Sequence, residues 1–332
     1  MPIKLRIATF NLENLDDKPG QKPTLTERIA LMRPQLLRLR ADILVLQEVN
    51  GQEEPGQPRR LLALAKLLVN TPYTGYHQVS TMTEDGTQVY DERNLVILSR
   101  FEITEHHQYK HDFAPAPRYR KVTATPADSE ARAVTWERPI LYAKIQLDSN
   151  RHLDLINVHL KSRLPTNIPG QQMNQYTWKT PSGWAEGFFL SSMKRVGQAL
   201  ETRMLIDTLF DADENALIVV CGDFNADLDE VPVEAIRGDV ENTGNDKLAQ
   251  RVIVPCEQTI PEPSRFSLLH HGRGQMIDHL LISRSLLGHY RGSEIHNELL
   301  HDESVAFGTD VKFPESDHAP VLAEFELPDG DG

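Results

Sequence analysis

At 332 residues, with 39% hydrophobic and 25% charged side chains, the chain can hold one large α/β domain or two ordinary ones around a substantial buried core. Its formal net charge of −13 argues against a protein that tracks along a polyanion by general attraction. It does not exclude a nuclease, since carboxylates clustered around cations raise the acidic count while creating a site that attracts phosphate.

The opening MPIKLRIATF enters a strand-like pattern instead of a signal-peptide apolar region, and no apolar run is long enough to span a bilayer. A cytoplasmic protein with no membrane insertion and no obligate protein partner is the expectation. The two cysteines, Cys221 and Cys256, are too few for a disulfide framework and are read as free thiols. Period and punctuation predict strands at Leu5 to Phe10, Ile43 to Gln47, Gly75 to Ser80, Leu95 to Ser99, Ile140 to Leu147, His152 to His159, Leu217 to Cys221, Met276 to Ile282 and Val321 to Phe325. Helical spacing covers Thr26 to Arg40, Arg60 to Asn70 and about Trp184 to Phe210. The alternation of strands and helices, without a repeat or a linker, predicts a single α/β domain over residues 1–332. Two stretches, 108–135 and 162–183, read as long loops beside the strands.

Six short strings place polar residues at the ends of apolar runs, where a rigid strand can hold a side chain in a cleft. In IATFNLENL, Asn11 offers a neutral carbonyl oxygen suited to a hard cation, or else simply ends a strand in a turn. In DILVLQEVN, Glu48 stands at the tip of a buried strand and is either a desolvated carboxylate in need of a cation or an exposed loop residue. HLDLINVHLKSR puts His159 at a strand end, placed to donate a proton, with Lys161 or Arg163 nearby to hold phosphate charge.

ALIVVCGDFNADLDE is the most specific string: the strand exits through Gly222, Asp223 can accept a proton from water, and Asn225 can orient that water. GQMIDHLLIS and SDHAPVLAEF each carry an Asp-His pair. If Asp278 bonds one ring nitrogen of His318, the other nitrogen can face phosphate and Asp317 is left for a metal, while His279 points to the opposite face as a structural residue.

Taken in order, TFNLEN, LQEV, NLVILSR, NVHLKS, GDFN, IDHLL and SDHAPV resemble the endonuclease/exonuclease/phosphatase family, and the resemblance spans almost the entire chain. It implies a four-layer sandwich of the DNase I-like type, two packed mixed β-sheets flanked by helices, with a cleft at one edge. It further implies a metal-dependent phosphoesterase in which Glu48 is the principal metal ligand, helped by Asn11 and Asp317. By the same resemblance Asp223 activates the attacking water with Asn225 as its partner, His318 steadies phosphoryl charge under the guidance of Asp278, and His159 serves as acid or second phosphate contact. Oxygen and amide ligands suit Mg²⁺, with Mn²⁺ or Ca²⁺ also fitting.

One departure stands out. Where the DNase I branch has a carboxylate before a proline, WERPILYAKI has Arg138, with Glu137 one residue out of register. Carboxylate support for His159 is therefore not expected here, and Arg138 is read as a substrate phosphate contact, the alternative being a simple surface Arg. Lys161 and Arg273, the latter in RFSLLHHGRGQM with His270 and His271, are the other candidate substrate contacts. The aromatics Trp184, Phe188 and Phe189 could stack on a base, but their helical spacing reads as core. The substrate is expected to be a phosphodiester of a nucleic acid or nucleotide; the alternative is a small-molecule or lipid-headgroup phosphate. A binding module that has lost catalysis is disfavoured because every residue that hydrolysis needs is present.

Overall fold

The computed structural model describes residues 2–309 and 311–329. Two six-stranded mixed sheets form its centre. From edge to edge the first runs Tyr290–Ile295, Val321–Leu327, Ile3–Leu15, Ile43–Val49, Asn94–Ser99 and His77–Ser80. The second runs Ile253–Pro255, Asp278–Ser283, Ile218–Asp223, His152–His159, Ile140–Gln146 and Ile103–Tyr109. Each has one parallel pair at its centre, Ile3–Leu15 with Ile43–Val49 and His152–His159 with Ile218–Asp223, and is otherwise antiparallel.

Side-chain alternation explains the layering. Leu5, Ile7, Ile43, Val45, Leu95 and Ile97 of the first sheet meet Leu141, Ala143, Leu153, Leu155, Val219, Cys221, Leu280 and Ile282 of the second in one buried layer. The intervening residues face outward. Ala8, Phe10, Leu44 and Leu46 pack on Met32, Leu36 and Leu39 of the Leu25–Leu39 helix, while Ile156, Val158, Ile218 and Val220 pack on Ala199, Leu205, Ile206 and Phe210 of the long Pro181–Ala212 helix. The result is the expected helix, sheet, sheet, helix sandwich. The first helix starts at a capping box, Thr24 Oγ1 accepting from the Glu27 amide while Glu27 accepts from the Thr24 amide at 2.7 Å. Both cysteines are buried free thiols, and among the described residues no helix is long and apolar enough to cross a membrane.

The nine expected strands are all present. The sequence reading lacks Ile103–Tyr109, Ile253–Pro255 and Tyr290–Ile295, each at a sheet edge. Two of them, ITEHHQY and YRGSEI, leave most side chains exposed or half-buried, so they carry little apolar alternation to detect. The stretches read as long loops contain short paired strands, Arg118–Tyr119 with Arg132–Ala133 and Gln172–Asn174 with Thr177–Trp178. They pack together on the first turns of the long helix around Ala124, Val134, Ile168 and Leu190. The Glu186 carboxylate ties this unit down, accepting from the Tyr119 hydroxyl at 3.0 Å and the Thr123 amide at 2.9 Å.

Between the sheets, directly behind the cleft edge, lies a polar cross-link. Buried Asn157 accepts from Gln47 Nε2 at 2.9 Å and donates to the carbonyls of Leu46 and Val96 at 3.1 and 3.2 Å, while Gln47 is also paired with Thr9. These bonds join the second sheet to two strands of the first. Replacing Asn157 by Ala is expected to cost about 1–3 kcal/mol for each buried partner left unsatisfied, read as a lowered urea midpoint at unchanged slope. A second check is the buried pair of His279 Nδ1 and Glu257 at 2.6 Å, whose other ring nitrogen faces the Ala226 carbonyl at 2.8 Å. Burial opposes a charge on His279, yet Glu257 more than offsets it and raises the imidazole above its ordinary value. Glu257→Ala should lower stability by roughly 3–5 kcal/mol without altering the cleft.

Candidate active site

The two parallel pairs both point their carboxyl ends at one edge of the sandwich, and the inter-sheet face supplies the site there. In the second sheet His159, Asp223 and Asp278 are direct neighbours across three strands, Asp223 pairing with His159 on one side and with Asp278 on the other. Each lies two residues from an inter-sheet core position, so alternation alone turns all three toward the other sheet. Asn11 follows Thr9 on the corresponding face of the first sheet and pairs with Gln47.

Glu48 obeys a different rule. Strict alternation after Gln47 would send it to the helix side, but its backbone has φ of +56° and the pairing with Asn94–Ser99 slips between Leu46 and Val49. That irregularity brings its carboxylate to 3.5 Å from His159 Nε2. The preceding strand is distorted likewise, with Glu13 and Asn14 at φ of +44° and +50° and a register shift between Asn11 and Leu15. Buried Arg28 holds that distortion by donating to the carbonyls of Leu12 at 2.7 Å and Glu13 at 2.9 Å.

Asp223 is the centre of the cluster and is buried. Its Oδ2 accepts from Asn11 Nδ2 and Asn225 Nδ2, each at 3.0 Å, and lies 3.2 Å from His159 Nε2; its Oδ1 accepts from the Asn225 amide at 2.9 Å. Burial pushes its acidity down, but the His159 and His318 imidazoles and the Asn225 amide hold it well below the usual carboxylate range. His159 is itself lowered by burial and by the Arg138 guanidinium.

His318 is held from behind as expected, Nδ1 lying 2.7 Å from Asp278 Oδ2, and its Nε2 lies 3.5 Å from Asn11 Nδ2, 4.0 Å from Asp223 and 3.8 Å from Asp317 Oδ1. Burial opposes the imidazolium, yet Asp278 and Asp223 outweigh it and raise His318 well above its ordinary value. The backbone amide of Asp278 donates to Ser267 Oγ at 3.1 Å.

A second group of carboxylates lies on the first-sheet side. Burial and the Asp317 charge raise Glu13 to about 8 against the opposing Arg28 guanidinium, and burial and Glu48 raise Asp317. Glu48 stays below its ordinary value because His159, Arg138 and Arg93 outweigh its burial. Glu13 accepts from the Asp317 amide at 3.1 Å, and Asn11 Oδ1 accepts from the Glu13 amide at 2.9 Å.

Of the three candidate substrate contacts, two lie close by. Arg138 is buried and donates through Nη1 to the carbonyls of His159 at 3.3 Å and Leu160 at 3.5 Å. Lys161 donates to Ser162 Oγ at 2.8 Å, and burial lowers its ammonium to about 8. Arg273 is not brought to the cluster; it is exposed where the Leu268–His270 and Arg273–Gln275 strands turn. Arg163 is fastened to Asp227 and Glu230, both at 2.8 Å. Sequence reasoning missed Glu13, Arg28, Arg93 and the cross-link of Gln47 with Asn157. For Glu13 the available signal is its place two residues beyond Asn11 in FNLEN; for Asn157 it is a polar residue within an apolar alternation.

Residues 8–318 match the Endonuclease/Exonuclease/phosphatase family. The chain belongs to this family. Its members hydrolyse phosphoester bonds and generally use divalent metals. Among solved structures, a family protein from Bacteroides thetaiotaomicron is 16% identical with a TM-score of 0.59, covering 99% of this chain and 96% of its own. Truncated TDP2 from Caenorhabditis elegans is 16% identical at TM-score 0.56, with 97% of each chain covered. The 3′ phosphatase NExo from Neisseria, bound to a product DNA hairpin, is 18% identical at TM-score 0.50, covering 97% of this chain and 99% of its own. At these identities the likeness is one of fold. No curated protein matches the sequence significantly.

Gly222 shows how narrowly the cluster is built. It exits its strand at φ of +138°, and a Cβ there would stand 2.0 Å from the Val158 carbonyl oxygen. Gly222→Ala must therefore part the strands that carry His159 and Asp223. The expected outcome is loss of soluble folded protein or a sharply lowered melting temperature, measured by circular dichroism.

Proposed function

We propose that the chain is a single-domain, divalent-metal-dependent phosphodiesterase whose attacking water is oriented by Asp223 and Asn225. The observation that carries this reading is the buried Asp223 carboxylate, surrounded by amide and imidazole donors at the edge where both parallel strand pairs end.

The donor set fits a hard cation. Glu48 Oε1 lies 3.5 Å from His159 Nε2 and 3.9 Å from Arg93 Nε, and Asp317 Oδ1 faces His318 at 3.8 Å. Burial first, and then the neighbouring carboxylates, raise the proton affinities of Asp317 and Glu13, an excess of negative charge that a bound cation would offset. Glu48, Asp317 and the Asn11 carbonyl oxygen would hold the ion, Mg²⁺ being the first choice for all-oxygen ligands. Asp223, Asp278 and His318 also lie within 4.8 Å of one another. That trio is already spent on the Asp278–His318 bond, so we assign it to proton and charge handling. A bound divalent ion would supply Lewis-acid stabilisation of phosphoryl charge.

The chain's own residues do the rest. Asp223 accepts a hydrogen bond from the water and draws its proton as attack proceeds, while Asn225 fixes the direction of approach. His318, carrying its proton at neutral pH and braced by Asp278, faces the developing negative charge. His159, wedged between Glu48 and Asp223 and shifted toward its neutral form by burial and Arg138, faces both carboxylates with Nε2. Arg138 holds the backbone around His159 and adds positive potential from below; Lys161 supplies a further cation at the rim. Nucleotide or nucleic-acid phosphodiesters are the favoured substrates. This is consistent with the product DNA named for the Neisseria structure.

Two measurements test this. Asp223→Asn should lower turnover of a phosphodiester library by at least about a thousandfold with unchanged circular dichroism; wild-type rates in that variant reject the assignment. EDTA should abolish wild-type turnover and excess Mg²⁺ should restore it, and Glu48→Gln should raise the Mg²⁺ concentration needed for half-maximal rate by roughly tenfold or more.

A further inference from the structure

A cleft of about 360 Å³ adjoins the cluster on the second-sheet side, and its composition differs from that of the catalytic residues. Trp184, Phe188, Leu268 and Ile277 form its apolar walls, and Asn225 and His318 form its polar end. Trp184 and Phe188 were expected in the core from their helical spacing. Instead they are 46% and 42% exposed, because the first turns of the long helix carry them out to the mouth of this cleft. Their rings lie nearly parallel, 18° apart with centroids separated by 5.6 Å. The adjacent Phe189, also expected in the core, is likewise 47% exposed and packs one side on Tyr119 at 5.3 Å.

Exposed aromatic faces of this size gain free energy when covered. The cleft's ionic groups are already committed: Arg163 to Asp227 and Glu230, and His270 to Glu303 at 2.7 Å. Among the described residues that line the cleft, no unpaired lysine or arginine is left for a second phosphate. Gln275 gives its amide oxygen to Arg163 at 2.8 Å, so its NH₂ remains as a donor for the edge of a ring.

We infer that this cleft receives a planar aromatic group of nucleobase size, carried by the substrate beside the scissile phosphate and stacked on Trp184. The assignment rests on the proposed phosphoester hydrolysis, since it is the sharing of Asn225 and His318 that places the ring next to the reacting group. Half-exposed aromatic rings in the lining favour a planar, stacking occupant over a flexible alkyl chain. Trp184 and Phe188 thereby become specificity-determining residues outside the catalytic cluster.

The test reads binding and not turnover. Adenosine 5′-monophosphate, ribose 5-phosphate and hexyl phosphate are titrated calorimetrically, with Mg²⁺ present, into the full chain, Trp184→Ala and Phe188→Ala. The nucleotide should bind the full chain roughly tenfold or more tightly than ribose 5-phosphate and more tightly than hexyl phosphate. Trp184→Ala should remove most of that ratio and leave ribose 5-phosphate affinity unchanged; Phe188→Ala should reduce the ratio in part. Equal binding of nucleotide and sugar phosphate, a preference for hexyl phosphate, or a ratio that survives Trp184→Ala overturns the aromatic subsite and leaves hydrolysis standing. Failure of all three ligands to bind overturns the phosphate site as well, which the Asp223→Asn rates test separately.

Discussion

A single buried carboxylate organises the site. Asp223 sits where the two sheets meet, and an ionised group so placed persists only if the protein replaces its hydration. Asn11, the Asn225 side chain and amide, and His159 do so, and they come from both sheets. Relative placement of the sheets is therefore fixed at the point of chemistry. The Asn157 cross-link behind it has the same logic in neutral form: an amide at an inter-sheet position whose bonds are satisfied only if the second sheet stands in one register over the first.

The two histidines illustrate how surroundings divide one side chain into two functions. His318 faces Asp278, Asp223 and Asp317 and is driven toward its charged form, whereas His159 lies over Arg138 and is driven toward neutrality. Arg138 turns inward to the His159 and Leu160 carbonyls. A carboxylate there would favour a charged His159; a guanidinium does the reverse.

The inserted segments matter as a unit. Stretches 108–135 and 162–183 close on each other around a satellite core and on Glu186, and they flank the start of the long helix. The aromatic wall is a consequence of that extension beyond the sheet, since a helix confined to the sheet face would bury Trp184 and Phe188.

The sequence by itself determined the four layers, the family and the residues that alternation delivers to one edge. Asn11, His159, Asp223 and Asp278 are legible because each continues the inter-sheet face of a buried strand, and two-residue periodicity is a local property. Edge strands such as Tyr290–Ile295 escaped because their pairing comes from a neighbour's backbone while their side chains meet water. Only the tertiary structure decided where Glu48 and Glu13 point, because positive φ and slipped register override alternation there. It alone also decided that Trp184 and Phe188 face a cleft, because helical spacing fixes which residues share a face and not what stands opposite that face.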